Sequence, residues 1–140
     1  MVDSLSAQQR SERMSLIKGR DTMPEMALRR ALHSLGFRYR LGGAGLPGKP
    51  DLVLPKYKSI IFVHGCFWHR HKNCRIASTP KSNVEFWQDK FDKNVSRDKR
   101  VGRALRALRW RVYVVWECDL NSASKALAIA KKLAVKLKPV

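Results

Sequence analysis

Acidic residues are what this chain of 140 residues has little of: eleven Asp and Glu stand against 29 Lys and Arg, a net charge of +18. A solvated surface has no need of that imbalance, which points to a polyanionic partner. It names a class of partner and no activity, since a purely electrostatic binder would share it. No apolar run approaches the roughly 18 residues needed to cross a bilayer, so no membrane partner is expected. Met1 to Gly19 contain no continuous apolar segment, which argues against a secretory signal. Cysteine is scarce and odd in number. That argues against a disulfide framework and for a reducing, cytoplasmic setting facing nucleic acid. Neither an internal repeat nor a domain linker is visible, and the length suits one domain with its own core.

Residues 1–20 are polar and carry Arg10, Arg13, Lys18 and Arg20, so they read as a basic arm, partly disordered until it lies along DNA. Residues 21–140 form the domain. Thr22-Met23-Pro24-Glu25 is a capping-box pattern that opens a helix with Met26, Leu28, Ala31, Leu32 and Leu35 inward and Gly36 at its end. Phe37 to Arg40 alternates like a short strand, and Leu41 to Pro50 must be a loop. Asp51 to Pro55 and Ile60 to His64 read as strands joined by the tight turn Lys56-Tyr57-Lys58. Ser82-Asn83-Val84-Glu85 repeats the capping-box pattern before a long helix ending near Leu108, with Val101, Ala104, Leu105 and Leu108 on one face. Trp110 to Trp116 is a further strand. Ala123 to Leu137 is an amphipathic helix with Leu127, Ala130, Ala134 and Leu137 inward.

The chemistry concentrates between Phe62 and Cys74, thirteen residues that hold three of the four histidines and two of the three cysteines. Cys66, His71 and Cys74 supply three soft or borderline ligands. Cys118, just past the Trp110–Trp116 strand, completes a Cys3His set if that strand lies beside the one ending at His64. Such a set suits a closed, structural zinc. The alternative is three ordinary buried thiols, which fits poorly with a polar loop.

Asp51, Glu25, His64 and His69 remain for catalysis. Asp51 follows Gly48-Lys49-Pro50 at the start of a strand, where a carboxylate could meet Mg²⁺, an ion content with few protein ligands. Taken alone, a turn aspartate bonded to its own backbone is the commoner case. His69 lies between two candidate zinc ligands, and histidine is a residue type suited to taking a proton from water. Glu25 doubles as the capping-box carboxylate, ionised at a helix N-terminus.

Several ordered motifs carry a resemblance: Met14 to Glu25, Leu46-Pro47-Gly48-Lys49-Pro50-Asp51, Val63-His64-Gly65-Cys66-Phe67-Trp68-His69, Phe86-Trp87, Asn94-Val95-Ser96-Arg97-Asp98, and Trp110-Arg111-Val112 through Val115-Trp116-Glu117-Cys118. From about Met14 to Leu120 the chain resembles the very-short-patch repair (Vsr) endonucleases. The resemblance implies a restriction-endonuclease-like α/β domain whose mixed central sheet is flanked by helices. It implies a Mg²⁺-dependent nick on the 5′ side of the T in a T·G mismatch left by deaminated 5-methylcytosine. Asp51 would hold the metal and His69 would be the general base, supported by His64 and Glu25. Cys66, His71, Cys74 and Cys118 would bind structural zinc. Phe67, Trp68 and Trp87 would enter the base stack, and the arm around Met14 to Lys18 would approach the minor groove. Trp87 also shares a helical face with Phe91, which by periodicity favours a place in the core. The chain departs from the family at Val63, where threonine is expected. A backbone carbonyl there would serve Mg²⁺ equally well. The lysine usual in the wider restriction-nuclease fold is also missing, and His64 or His69 would cover its duties. The implied partners are double-stranded DNA, mismatch-repair proteins and a repair polymerase, with the enzyme acting as a monomer. The competing readings are a site-specific nuclease of the same fold and a non-catalytic zinc-bearing nucleic-acid binder.

Overall fold

The structure, a computed structural model, describes residues 22–43 and 45–137. The expected basic arm, residues 1–20, lies outside the described residues. Thr22 caps helix α1 (Met23–Ser34), its Oγ1 accepting from the Glu25 N–H at 3.4 Å, with Pro24 in the first turn. Leu28, Ala31 and Leu32, at helical spacing, are buried. Gly36 adopts φ +91° and turns the chain back, so that the Phe37 N–H reaches the Leu32 carbonyl at 3.0 Å. Phe37 and Tyr39 then pack on the core, but strand pairing begins only with β1 (Arg40–Leu41).

Strands β2 (Leu52–Leu54) and β3 (Ser59–His64) form an antiparallel hairpin around a single 3-10 turn, with Leu52 opposite Ile61. β4 (Arg111–Trp116) runs parallel to β3, which makes the sheet mixed, in the order β1-β2-β3-β4. The pleat sends Leu52, Leu54 and Ile61 to one face, where α1 and helix α3 (Ala123–Lys136) cover them. Val53 and Ile60 face the other way, toward Leu105 of the long helix α2 (Val84–Ala107). The result is a three-layer α/β arrangement, with β3 and β4 ending together at His64 and Trp116.

Three local expectations need correcting. α2 starts from Asn83, which sits in the left-handed region at φ +52° with no side-chain cap bond, so Ser82 does not form the box. Asparagine tolerates that conformation better than most residues. Leu35 and Leu108 are 37% and 52% exposed rather than inward. Each is the C-cap of its helix, where the chain is already leaving the packed face.

The glycine-rich loop explains how Asp51 is placed. Gly48 has φ +76°, and a Cβ built there would fall 2.3 Å from Val101 Cγ1 on α2. Only glycine lets the loop lie this close to the helix. Pro50 is then buried, and Asp51 is delivered to the start of β2, an interior strand of the sheet.

Candidate active site and metal centre

The His64–Trp116 register at the ends of the parallel pair decides what can meet. Two residues further along each strand lie Cys66 and Cys118, and the loop folds His71 and Cys74 onto them. The four ligand atoms all lie within 4.8 Å of one another. Cys66 Sγ and Cys118 Sγ approach His71 Nδ1 to 3.6 and 3.4 Å. A tetrahedral zinc with ordinary Zn–S and Zn–N bonds requires an S···N edge of ~3.5 Å, so the donor set fits. The His71 ring is braced by stacking on Trp116 at 4.2 Å. Glu117 had no evident role in the sequence; its Oε1 accepts from the Cys66 N–H at 2.8 Å and fixes the start of the loop. Burial pushes the Cys66 thiol up to about 12. At Cys74, desolvation is outweighed by hydrogen bonds from the Ile76 N–H, His71 and the neighbouring thiols, bringing it to about 7. The thiols thus hold their protons unequally, and a cation among them is what would let all three ionise together.

A second cluster joins His64 at the end of β3, His69 in the loop and Asp98 on α2, with its ligand atoms also within 4.8 Å. The two imidazoles stack at 3.9 Å with planes 7° apart. His69 Nδ1 is 2.6 Å from Asp98 Oδ2 on α2. With Nδ1–H donated to the carboxylate, Nε2 keeps its lone pair and can accept a proton. His64 is buried; burial and then the neighbouring His69 bring its pKa down to about 4, with Asp98 opposing. It is therefore neutral near pH 7.

Asp51 is not a turn residue bonded to its own backbone. Its Oδ2 accepts from the Val63 N–H at 2.7 Å, across from β2 to β3. Burial pushes the carboxyl up to about 6 against that hydrogen bond; Glu25 adds to the rise, and Arg29 and His69 oppose it. Val63 packs its side chain against the α1/α3 core. Glu25 is buried on α1, its Oε2 accepting from Arg29 Nη2 at 3.0 Å.

The aromatics form a third group. Phe67 and Trp68 are half-buried rather than free, with ring centroids 5.1 Å apart. Phe67 also meets Phe91 at 5.1 Å and Trp87 at 5.6 Å. Trp87 stacks near Phe91 at 6.0 Å, so its expected place on the Phe91 face is borne out. Asn94 Nδ2 donates to the Trp68 carbonyl at 3.2 Å.

Asp98 is the residue whose part in the site sequence reasoning missed. A signal was present: Trp87, Phe91, Asn94, Asp98, Val101 and Leu105 follow at intervals of three and four, one stripe of α2. Its chemistry runs from aromatic through polar to aliphatic, and the polar middle meets the Trp68 carbonyl and His69.

A model of the family described as DNA mismatch endonuclease Vsr matches residues 2–75. The chain belongs to that family. It is 47% identical over 121 residues to the type II nicking enzyme V.XorIIP of Xanthomonas oryzae, covering 86% of this chain and 88% of that protein. It is 43% identical to the DNA mismatch endonuclease Vsr of Escherichia coli K12, over 89% of this chain and 80% of that protein. The type II nicking enzyme V.NmeAIP of Neisseria meningitidis serogroup A is also 43% identical, over 87% and 86% of the two chains. The family makes the protein a DNA endonuclease.

Proposed function

We propose that the protein nicks double-stranded DNA on the 5′ side of the T in T·G mismatches, in a Mg²⁺-dependent reaction, and acts as a monomer. The observation that carries this reading is the His69–Asp98 pair stacked on His64, with Asp51 tied to the neighbouring Val63 backbone. His69 Nε2 takes the proton of the attacking water while Asp98 holds the ring and the charge it gains. His64, neutral, positions phosphate or water through a hydrogen bond. Mg²⁺ held by Asp51 and the Val63 carbonyl would stabilise the charge building on the phosphate and the leaving oxygen. Because the Val63 methyls pack into the core, the valine in place of threonine leaves the backbone group unchanged. Glu25 adds negative charge beside Asp51 and supports metal binding.

The Cys66, His71, Cys74 and Cys118 cluster would take zinc in a closed role, stiffening the loop that carries Phe67 and Trp68. This suits a reducing compartment, in which the thiols remain available as ligands. The mixed sheet, with its chemistry at the strand ends, supports a restriction-endonuclease-like fold. Phe67, Trp68 and Trp87 wedge into the base stack, where a mismatch costs less to unstack than matched duplex. Mismatch-repair proteins and a repair polymerase are the partners that a nick beside the wrong base calls for.

The relatives named type II nicking enzymes favour a second reading, site-specific nicking without need of a mismatch. Labelled duplexes carrying T·G or T·A in many sequence contexts, incubated with Mg²⁺ or with EDTA, separate the two. A single metal-dependent nick 5′ to the T of T·G alone is expected. Equal nicking of T·A in a preferred context would overturn mismatch specificity, and undiminished nicking in EDTA would overturn the metal.

A further inference from the structure

Arg70 stands between His69 and His71 and, by charge alone, belongs with the cations expected to meet DNA phosphates. Its guanidinium is otherwise engaged. Nη1 donates to the Phe67 carbonyl and to the Ser78 carbonyl, each at 3.2 Å. Nη2 donates to the Ala77 carbonyl at 2.8 Å and to Thr79 Oγ1 at 3.0 Å. All four terminal N–H groups thus have acceptors inside the protein. The group's carbon sits 4.0 Å from the ring centroid of Phe91 on α2 and 5.6 Å from that of Phe67. Backbone strain accompanies this: Arg70 is held at φ +54°, left-handed, a conformation that an arginine rarely adopts and that the surrounding contacts must maintain.

We propose that Arg70 is a positioning residue for the aromatic wedge. It does not touch DNA. Instead it ties three segments to one planar cation: the wedge loop through Phe67, the segment leaving the metal loop through Ala77 to Thr79, and α2 through Phe91. The fixed fork geometry matters, since lysine has one nitrogen and cannot span three carbonyls and a hydroxyl while lying over a ring. Holding Phe67 before DNA arrives spares the loop an ordering cost on binding, and that saving is what mismatch discrimination draws on. The proposal rests on the mismatch reading above, and its test separates the two.

Arg70→Lys, Arg70→Gln and Thr79→Val, each first shown to hold zinc like the wild type, are compared by nicking of T·G and T·A duplexes and by the salt dependence of binding to matched duplex. Arg70→Lys should lose about tenfold in T·G over T·A preference, through kcat rather than KM. Thr79→Val removes one acceptor at an exposed position and should lose a smaller part of the preference. Arg70→Gln should leave the slope of log K against log salt unchanged, whereas loss of a phosphate contact lowers it by about one. Acrylamide quenching of Trp68 and Trp87 in free Arg70→Lys should rise as the loop loosens. Full preference retained in both Arg70→Lys and Thr79→Val, or a slope reduced by one in Arg70→Gln, overturns the proposal. A wild-type enzyme that nicks T·A as fast as T·G overturns the mismatch reading instead; the clamp then stands if Arg70→Lys raises quenching and falls if it does not.

Discussion

Cys66, His71, Cys74 and Cys118 gather three sulfurs and one imidazole, whereas His64, His69 and Asp98 beside them gather nitrogen and oxygen, with Asp51 tied to the Val63 N–H next to His64. Both groups are built at the ends of β3 and β4 and share one loop, whose residues they divide: 64 and 69 go to one, 66 and 71 to the other. The soft cluster offers four protein ligands at a spacing that fits a tetrahedral zinc, which on the proposed reading would leave no position for a reactant. The hard one brings together a carboxyl, a neutral buried histidine and a histidine braced by Asp98, with ligand capacity left over. On the proposed reading, such a division would let the first group hold the second in register at no cost to its reactivity.

The comparison breaks most directly if the two clusters fail to separate on mutation. Asp51→Asn should lower nicking by about 10³-fold or more, the several kcal/mol that a bound catalytic metal supplies. It should leave zinc content and mismatch binding intact. Cys118→Ser should do the reverse at first order: zinc falls well below one equivalent, and a loss of a few kcal/mol lowers Tm by roughly 10 °C. Elemental analysis, calorimetry and nicking rates on both variants check this. Zinc lost from Asp51→Asn would show one joint site rather than two, and a fully stable, zinc-loaded Cys118→Ser would remove Cys118 from the ligand set.

Within the hard cluster, base and brace should differ in size of effect. His69→Ala removes the proposed proton acceptor and should cost about 10²–10⁴ in kcat. Asp98→Ala leaves the imidazole but frees its orientation and tautomer, a loss of about 10–100-fold typical of such outer partners. Single-turnover nicking at saturating enzyme gives both numbers. An Asp98→Ala enzyme with wild-type rate would mean that the 2.6 Å contact is structural only.

The same division explains what was legible in the sequence. β-branched runs located β2, β3 and β4, a capping box located α1, and helical periodicity located α2 and α3; Cys118 meets Cys66 because the strands that lead to them are neighbours in register. What stayed hidden depended on side chains meeting across long separations. Asp98 lies 29 residues from His69, Glu117 lies 51 from the Cys66 N–H it holds, and Asp51 crosses to Val63 instead of its own turn. For Phe67 and Trp68, nothing local reveals that α2 brings Phe91 against the first and Trp87 against both. A helical periodicity gives the stripe from Trp87 to Leu105, but only the packed structure says which strand ends that stripe faces.

The smallest expected effect is a pH dependence that two members of the hard cluster nearly cancel. Burial raises Asp51 from 3.8 to about 6, so between these values the native protein keeps a proton that the unfolded chain has released. Stability from this group therefore falls as pH rises through that window. Burial lowers His64 from 6.5 to about 4, so the unfolded chain holds a proton that the native protein lacks, and stability from this group rises with pH over nearly the same window. Each shift is worth about 3 kcal/mol at most, with opposite sign, and the wild type should be almost flat as far as these two groups decide it. Denaturant titrations from pH 4 to 7, without Mg²⁺, should therefore diverge. Relative to wild type, Asp51→Asn gains stability as pH rises and His64→Gln loses it. The cysteine ligands titrate alike in all three proteins and drop out of the differences. Saturating Mg²⁺ should favour ionised Asp51 and remove its opposing contribution, so that wild-type stability rises with pH, while Asp51→Asn does not respond. Parallel curves for all three proteins would mean that neither group is desolvated enough to distinguish the reactive cluster from an ordinary polar surface.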